Sequence, residues 1–513
     1  MKHIHKHLIF LAAILSMIGF ASCKKTWLDV NQDPNRVTDA NVTAELIFPA
    51  AANEVGQLAV GSTSLQEWMG YWAPNGGFVP QQNVISYNID FTFGDGLFQA
   101  YYNTLFDLHQ AQVKGLANGD SDLAAASSIL SAKLFQEVND IFGDVPYSQA
   151  FQTNQFTTPT YDASQDIYSA LQLRLDTAIM YLNTYAPSNA FSAADIINHG
   201  DVTRWIKLAR TLKLRLLIRQ SEVPGFDPSA EIAKIANGGN VIDNILGPGE
   251  SISVNPGYVN DVNKQSPFYG AHGWTPSGVQ SDQATNANNY IITILSNTND
   301  PRIGRFFFPA GFDAANGFVG NVFGDPVGTL AQSSASSYFG PALVGELDPN
   351  LVGLGYSMNQ FIYPSYESLF LYAEAVARGW IPGDADDALA EAITESFVWL
   401  GVPDAATAAA SYITANPSIT TMGSASTPSD RDRIVAFQKY IANTGIDPQE
   451  SFFDLNRLHF LTDNSYISTL PTKISNVLPL RYLYPQSEYT TNGVNTPKQV
   501  AGDEFTKKLF WEP

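Results

Sequence analysis

The sequence predicts a mainly α-helical fold, with helices packed in antiparallel pairs into one body that carries large irregular loops and short β-hairpins. Apolar residues recur at helical spacing, as in Leu123, Ala126, Leu130, Leu134, Val138 and Ile141, at offsets 0, 3, 7, 11, 15 and 18. Four long stretches rich in Gly, Asn, Ser, Pro and aromatics (74–96, 238–283, 309–360 and 463–500) separate the periodic segments. Connections this long inside a domain are usually functional. At 45% apolar and 12% aromatic, the 513-residue chain has the material for a sizeable core.

In chain order, the first element precedes the fold. Met1–His7 carries Lys2 and Lys6 and no acid, Leu8–Phe20 is an apolar run, and Ala21-Ser22 leads into Cys23. A basic start, a short apolar segment and small residues before a cut describe a secretory signal. That run spans about 20 Å as a helix, short of the ~30 Å of a hydrocarbon core. Cys23 is the sole cysteine and stands where a bacterial lipoprotein is cleaved and acylated, its thiolate taking the diacylglyceryl group. An ordinary signal with a cysteine near its cut is the other reading. The expected organisation is residues 1–22 as a removed signal peptide, 23–40 as a lipidated tether and 41–513 as a single domain. No later stretch is apolar over the ~18 residues a span needs, so lipid is the expected anchor.

Leu97, Tyr101, Leu105 and Leu108 mark one helix, and the stripe from Leu123 to Ile141 marks the next. Asn118-Gly119-Asp120 between them stops one and caps the other, which reads as an antiparallel pair. Further helices are expected near 163–183, 201–220, 285–296, 366–379, 385–400 and 430–443. Ala373, Ala375 and Ala377 allow close helix stacking of the tetratricopeptide kind, although no 34-residue consensus repeats. Glu374 and Arg378 are set at i, i+4 for an ion pair.

The formal charge is −21, and removing residues 1–22 with their two lysines makes it −23. This balance opposes nucleic acid and anionic lipid surfaces. One cysteine forbids an internal disulfide and a thiolate zinc site. The four histidines beyond residue 22 (His109, His199, His272 and His459) show no metal-ligand spacing, and there is no H-E-x-x-H, G-x-S-x-G or phosphate-loop motif. Asp29-Val30-Asn31-Gln32-Asp33 starts like a calcium loop, but Pro34 replaces the required glycine and Ala40 the bidentate glutamate. Asp384, Asp386 and Asp387 open a helix, where the dipole favours carboxylates. Arg204, Lys207, Arg210, Lys213, Arg215 and Arg219 share one helix, and in so acidic a chain their expected role is internal ion pairing. No catalytic residue, metal or cofactor is indicated.

The aromatic residues are more suggestive. Trp68, Tyr71 and Trp72 sit at i, i+3 and i+4 before Pro74-Asn75-Gly76-Gly77-Phe78, and Phe268, Tyr269 and Trp274 lie in a Gly/Pro-rich stretch. Flat rings beside amides suit the C–H faces of sugars or peptide side chains. Trp68, Tyr71, Trp72 and Phe78, with Tyr269 and Trp274, are therefore the candidate ligand-binding residues, with Asn75, Gln82 and Asn83 supplying hydrogen bonds. Helical spacing equally fits a core role for Trp68–Trp72.

Six segments in order carry a family resemblance: Lys24-Lys25-Thr26-Trp27-Leu28-Asp29-Val30-Asn31-Gln32-Asp33-Pro34, Asp140 through Ala150 (DIFGDVPYSQA), His199 through Trp205 (HGDVTRW), Asp300-Pro301-Arg302, Ala373-Glu374-Ala375 with Arg378-Gly379-Trp380, and Arg481 through Glu488 (RYLYPQSE). Behind the Cys23 signal, the chain resembles the SusD/RagB family of outer-membrane lipoproteins, in its SusD-like branch. It departs in Ser451 through Arg457, where relatives often have a tryptophan and paired arginines. The resemblance implies a non-catalytic, α-rich lid built on tetratricopeptide-like helix pairs, anchored by Cys23 in the outer membrane and facing the exterior. Its implied partner is a SusC-like TonB-dependent barrel transporter, and its ligand a glycan or, in some branches, a peptide. The family's ligand contacts vary, so none transfers to a position here. Two other classes stay open: a lipid-anchored glycoside hydrolase, which needs a carboxylate pair in a cleft, and a structural envelope lipoprotein, which needs no pocket.

Overall fold

Helix α1 (Ala44–Leu58) turns Phe48, Ala51, Ala52 and Val55 inward, and after the short helix Thr63–Trp68 the chain enters strand β1 (Trp72–Pro74). This is a computed structural model that describes residues 42–60 and 63–513; the expected signal, Cys23 and the tether lie outside the described residues. Helix α2 (Asp95–Asn118) buries Phe98, Tyr101, Leu105, Leu108 and Ala111. Gly119 ends it at φ 87°, a left-handed turn that glycine adopts without cost. Helix α3 (Ser121–Phe142) follows antiparallel and is buried from Asp122 to Phe142. Asp120 stands at its N-cap position but makes no side-chain cap.

Helices α4 (Ser164–Thr184) and α5 (Val202–Arg219) continue the stack. The Asp201 carboxylate caps α5 by accepting from the backbone N–H groups of Thr203 and Arg204. Strand β2 (Ile252–Val254), helix α6 (Pro267–His272), strand β3 (Thr285–Ala287) and helix α7 (Asn289–Asn297) occupy the long middle stretch. The expected helix over 285–296 therefore starts four residues later. Thr285–Ala287 extends to pair with β1, and Asn288 caps α7 by accepting from the N–H of Tyr290. Strand β4 (Gln360–Tyr363) leads into α8 (Ser365–Ala377), α9 (Ala385–Trp399), α10 (Pro428–Ala442) and α11 (Pro448–Leu458), with α12 (Gln486–Thr491) near the end.

The helices pack as a chain of neighbours: α1 on α2, α2 on α3, α3 on α4, and both α3 and α4 on α5. Helix α5 meets α8, α8 packs on α9 and α10, and α10 packs on α11. The fold is mainly α, as its composition and periodicity imply. The strands pair antiparallel, β1 with β3 and β2 with β4, but they join distant segments and are not hairpins. They clip the long loops to the helical body.

The basic helix α5 is an internal connector. Arg219 donates to Asp140 of α3 (Nε–Oδ2 3.2 Å) and Glu450 of α11 (Nη2–Oε1 2.7 Å), with its guanidinium 4.7 Å from the Phe453 ring centre. Arg215 reaches Glu137 at 3.3 Å, and Lys439 of α10 bridges Glu450 and Asp454 at 3.1 Å each. Lys207 pairs with Glu250, and Lys213 with Asp176 and Glu231. Burial would raise the Glu450 carboxyl, but Arg219, Lys439 and Arg215 hold it below the usual carboxylate range. Burial outweighs the pull of Arg219 at Asp140, which rises to about 6. Buried pairs of this kind add little net stability, yet losing one member is severe because the other charge is stranded.

Two of the motif segments form framework together. Gly143 sits at φ 85°, and a Cβ there would lie 2.5 Å from the Arg481 guanidinium. Tyr482 donates its N–H to the Ile141 carbonyl at 2.9 Å, and Trp511 Nε1 donates to Asp140 at 2.9 Å.

Candidate functional site

The expected aromatic surface is mostly core. Trp68, Tyr71 and Trp72 are fully buried, and Tyr269 and Trp274 are 2% and 3% exposed. Trp68 stacks on Phe93 and donates Nε1–H to the Val84 carbonyl at 3.2 Å. The Tyr71 hydroxyl donates to the Tyr440 carbonyl at 2.6 Å. Trp72 lies against Phe339 and His272 at 4.5 and 4.8 Å between ring centres. Tyr269 donates to the Gly353 carbonyl at 2.5 Å, and Trp274 packs on Tyr338 and Phe312. The short helix ends at Trp68 and Trp72 already lies in β1, so tertiary packing and not a shared helix face buries these five residues, which hold the loops on the body and offer no ring to a ligand. Phe78 is the exception, at 43% exposure.

An asparagine network presents Phe78. Asn75 follows β1 and is 1% exposed, its amide occupied by the fold. Its Nδ2 donates to Ser333 Oγ at 2.8 Å, Asn286 Oδ1 at 3.1 Å and the Gln283 carbonyl, while its Oδ1 accepts from Gly77 N–H at 2.7 Å. The expectation that Asn75 serves a ligand is therefore corrected: it ties three loops together. Asn321 Nδ2 donates to the Pro74 and Ala331 carbonyls, and Asn288 Nδ2 to the Trp72 carbonyl. Gly76 allows the closest approach, since a Cβ there would lie 2.2 Å from the Leu330 carbonyl oxygen. The loops 74–80, 275–284 and 325–335 are thus fixed around a tip where Phe78 and Val79 are exposed, with Gln81, Gln82 and Asn83 exposed beside it in sequence.

A cleft of about 670 Å³ opens between α1 and the 256–271 segment. Asn53 and Gln57, at i, i+4 on the outer face of α1, face Tyr258, Asn263 and Gln265 across it. The Tyr258 hydroxyl donates to Asn53 Oδ1 at 2.6 Å, and burial holds that hydroxyl well above its usual titration range, so it stays neutral. Gln265 Nε2 donates to the Trp274 carbonyl at 2.9 Å, which links the cleft to the start of the 275–284 loop. Helix α6 turns Phe268 and Tyr269 inward and shows the cleft Pro267, Gly270 and Ala271. Lys264 is paired with Asp261 at 2.7 Å. Among the described residues, no carboxylate lines this cleft.

The strongly perturbed acids lie elsewhere. Glu67, on the buried helix before β1, is raised to about 8 by burial and then by Asp282, whose Oδ2 faces His272 Nδ1 at 3.1 Å. Among the described residues, no group of three or more His, Cys, Asp or Glu is placed to hold a metal, and no helix is long and apolar enough to cross a membrane. A ring at a rigid loop tip and a cleft lined mainly by amides, with Lys264 neutralised by Asp261, suit an uncharged, hydroxyl-rich molecule. The cleft amides were missed from sequence, and only the i, i+4 spacing of Asn53 and Gln57 opposite an apolar stripe hints at them.

Comparison with known proteins agrees with this architecture. Residues 34–485 match the SusD-like family described as starch-binding and associating with the outer membrane. No curated protein matches the chain. Among solved structures, a SusD homologue from Bacteroides fragilis superposes with a TM-score of 0.69 at 19% identity, covering 92% of this chain and 99% of that one. A SusD/RagB family protein from Bacteroides thetaiotaomicron gives 0.69 at 20% identity, covering 92% and 99%. A chitin-binding SusD homologue from Flavobacterium johnsoniae gives 0.70 at 20% identity, covering 91% and 97%. At these identities the structures speak to the fold.

Proposed function

The chain belongs to the SusD-like family, whose members are binding proteins and not enzymes, and from that premise we propose that it captures an oligosaccharide and passes it to a SusC-like TonB-dependent barrel transporter, over which it closes as a lid. The observation that carries this is the family match over residues 34–485, which takes in the helical body, three of the four long loops and the first part of the fourth. The amide-lined cleft and the Phe78 tip support a neutral glycan. Phe78 offers a ring to the C–H face of a sugar, and the amides of Gln57 and Asn263, with Asn53 Nδ2 and Gln265 Oε1, offer donors and acceptors to hydroxyls. A related protein of the same fold binds chitin. A cleft without a carboxylate favours binding over hydrolysis, which needs an acid pair.

In this reading the lid is held at the outer membrane by lipid on Cys23 and faces the cell exterior, with residues 1–22 removed and 41–513 acting as one domain. A lid needs a broad interface, beyond the ~1,600 Å² of a standard complex. Extraction of native membranes in mild detergent tests this. The protein is expected to co-purify with a barrel transporter in stoichiometric amount, and recovery only as a free monomer would refute the lid.

A further inference from the structure

A second cleft, of about 400 Å³, lies between α2, the 146–159 segment and α12. It shares no residue with the amide-lined cleft or the Phe78 tip. Its apolar side is aromatic: Tyr102 stacks on Phe98 with ring centres 4.6 Å apart, and Phe151 lies 6.0 Å from Tyr102. Gln99, Asn103, Glu488 and Thr491 supply its polar side. A ring face opposed by amides, a hydroxyl and a carboxylate is what a pyranose needs, with C–H bonds on one face and hydroxyls around its edge.

Two further observations mark this place as more than a gap between elements. Phe151 is held at φ 65°, a left-handed conformation that a bulky aromatic residue rarely adopts. Its ring nevertheless stays on the cleft, packed on Tyr102, Phe106 and His109. The walls are also pinned. The Tyr102 hydroxyl donates to the Pro146 carbonyl at 2.7 Å, Asn492 Nδ2 to the Pro159 carbonyl at 2.8 Å and Asn495 Nδ2 to the Thr158 carbonyl at 2.8 Å. The Asp162 carboxylate accepts from the N–H groups of Tyr147 and Ser148 at 2.9 Å each. The cleft is therefore preformed, and little ordering is left for a ligand to pay.

We infer that this cleft is a second, independent saccharide subsite that takes one or two units of a neutral sugar chain. Glu488 sets the charge preference: its Oε2 accepts from the Tyr161 hydroxyl at 2.7 Å, and among the described residues no cation lines the cleft, so anionic sugars are disfavoured. Two subsites on one body let a long chain be gripped at two points, which raises avidity without a new contact at either.

Hydrogen exchange on the full chain, with millimolar maltoheptaose, cellohexaose and chitohexaose as probes, tests this. At least one probe is expected to protect the backbone of 146–159 and 486–492. Asn103→Ala, an exposed change on α2, and Phe151→Gly, which suits the positive φ, should each weaken that protection tenfold or more. Protection of 74–80 by the same probes is read separately, so failure of this subsite and failure of the Phe78 reading can be told apart. No protection of these segments by any probe, or protection that both variants leave intact, overturns the inference. Protection by a proline-rich peptide and not by sugar overturns it as well.

Discussion

Glu367→Gln is the most informative change to the framework. Glu367 lies on α8, is 1% exposed and sits among the charges of the α5–α10–α11 network, but among the described residues no cation closes an ion pair with it. Burial, then Glu450, raise its carboxyl to about 8 from 4.5, against the pull of Lys439. At pH 7 it is therefore neutral in the folded protein and ionised in the unfolded chain. A group raised in this way contributes its full stability below the unfolded value near 4.5 and loses it as pH rises through the folded value near 8. At about 1.36 kcal/mol per unit, the wild type should lose roughly 3 kcal/mol from this group between pH 4.5 and pH 7. Glutamine has the same shape and does not titrate. The stability of Glu367→Gln relative to wild type should therefore rise with pH across this window and level off above pH 8. Urea unfolding of both proteins at half-unit steps from pH 4.5 to 9 reads the difference directly. Parallel curves, or a variant that weakens as pH rises, would show that Glu367 is ionised in the fold and that the charge balance drawn here is wrong.

Four further outcomes are expected. Arg219→Ala removes from Asp140 the cation that pairs with it, and one partner from Glu450 and Asp454, which keep Lys439, and should cost about 3–5 kcal/mol in denaturant unfolding. Trp72→Ala should cost about 3–5 kcal/mol of stability, with the folded fraction still binding ligand. Phe78→Ala should leave the unfolding midpoint nearly unchanged and cost about 2 kcal/mol of binding, roughly thirtyfold, by calorimetry on the same samples. Cys23→Ala should release folded protein from membranes in fractionation of cells lacking the barrel partner, since the lipid adds membrane affinity and no core contact.

Much of the helical body was legible in the chain because a 3.6-residue period survives wherever one face is buried, as along Tyr101, Leu105 and Leu108. Helix α3 shows where that logic thins. Lys133, Gln136, Glu137 and Asp140 break its stripe as surface residues would, yet they are buried because α5 and α11 bring matching charges. Those matches join residues far apart in sequence, so no local pattern reports them, although the basic run on α5 implied that partners exist. The strand pairs were hidden for the same reason, since β1 meets β3 only after the body has closed. At the candidate site, Trp68, Tyr71 and Trp72 carry the composition of a sugar platform, but the chain turns from a short helix into β1 between them and packing buries all three, which their spacing does not report. Phe78 stayed outside because Gly76 and Gly77 lift it past the asparagine network.

The central claim is that this protein holds a neutral oligosaccharide without altering it. Isothermal titration of the full chain with starch and chitin oligosaccharides, followed by chromatography of the recovered sugar, tests it most directly. The account predicts saturable binding of at least one of them, with the chain length of the recovered oligosaccharide unchanged. Shortened products, or no binding of any neutral oligosaccharide by fully folded protein, would contradict it.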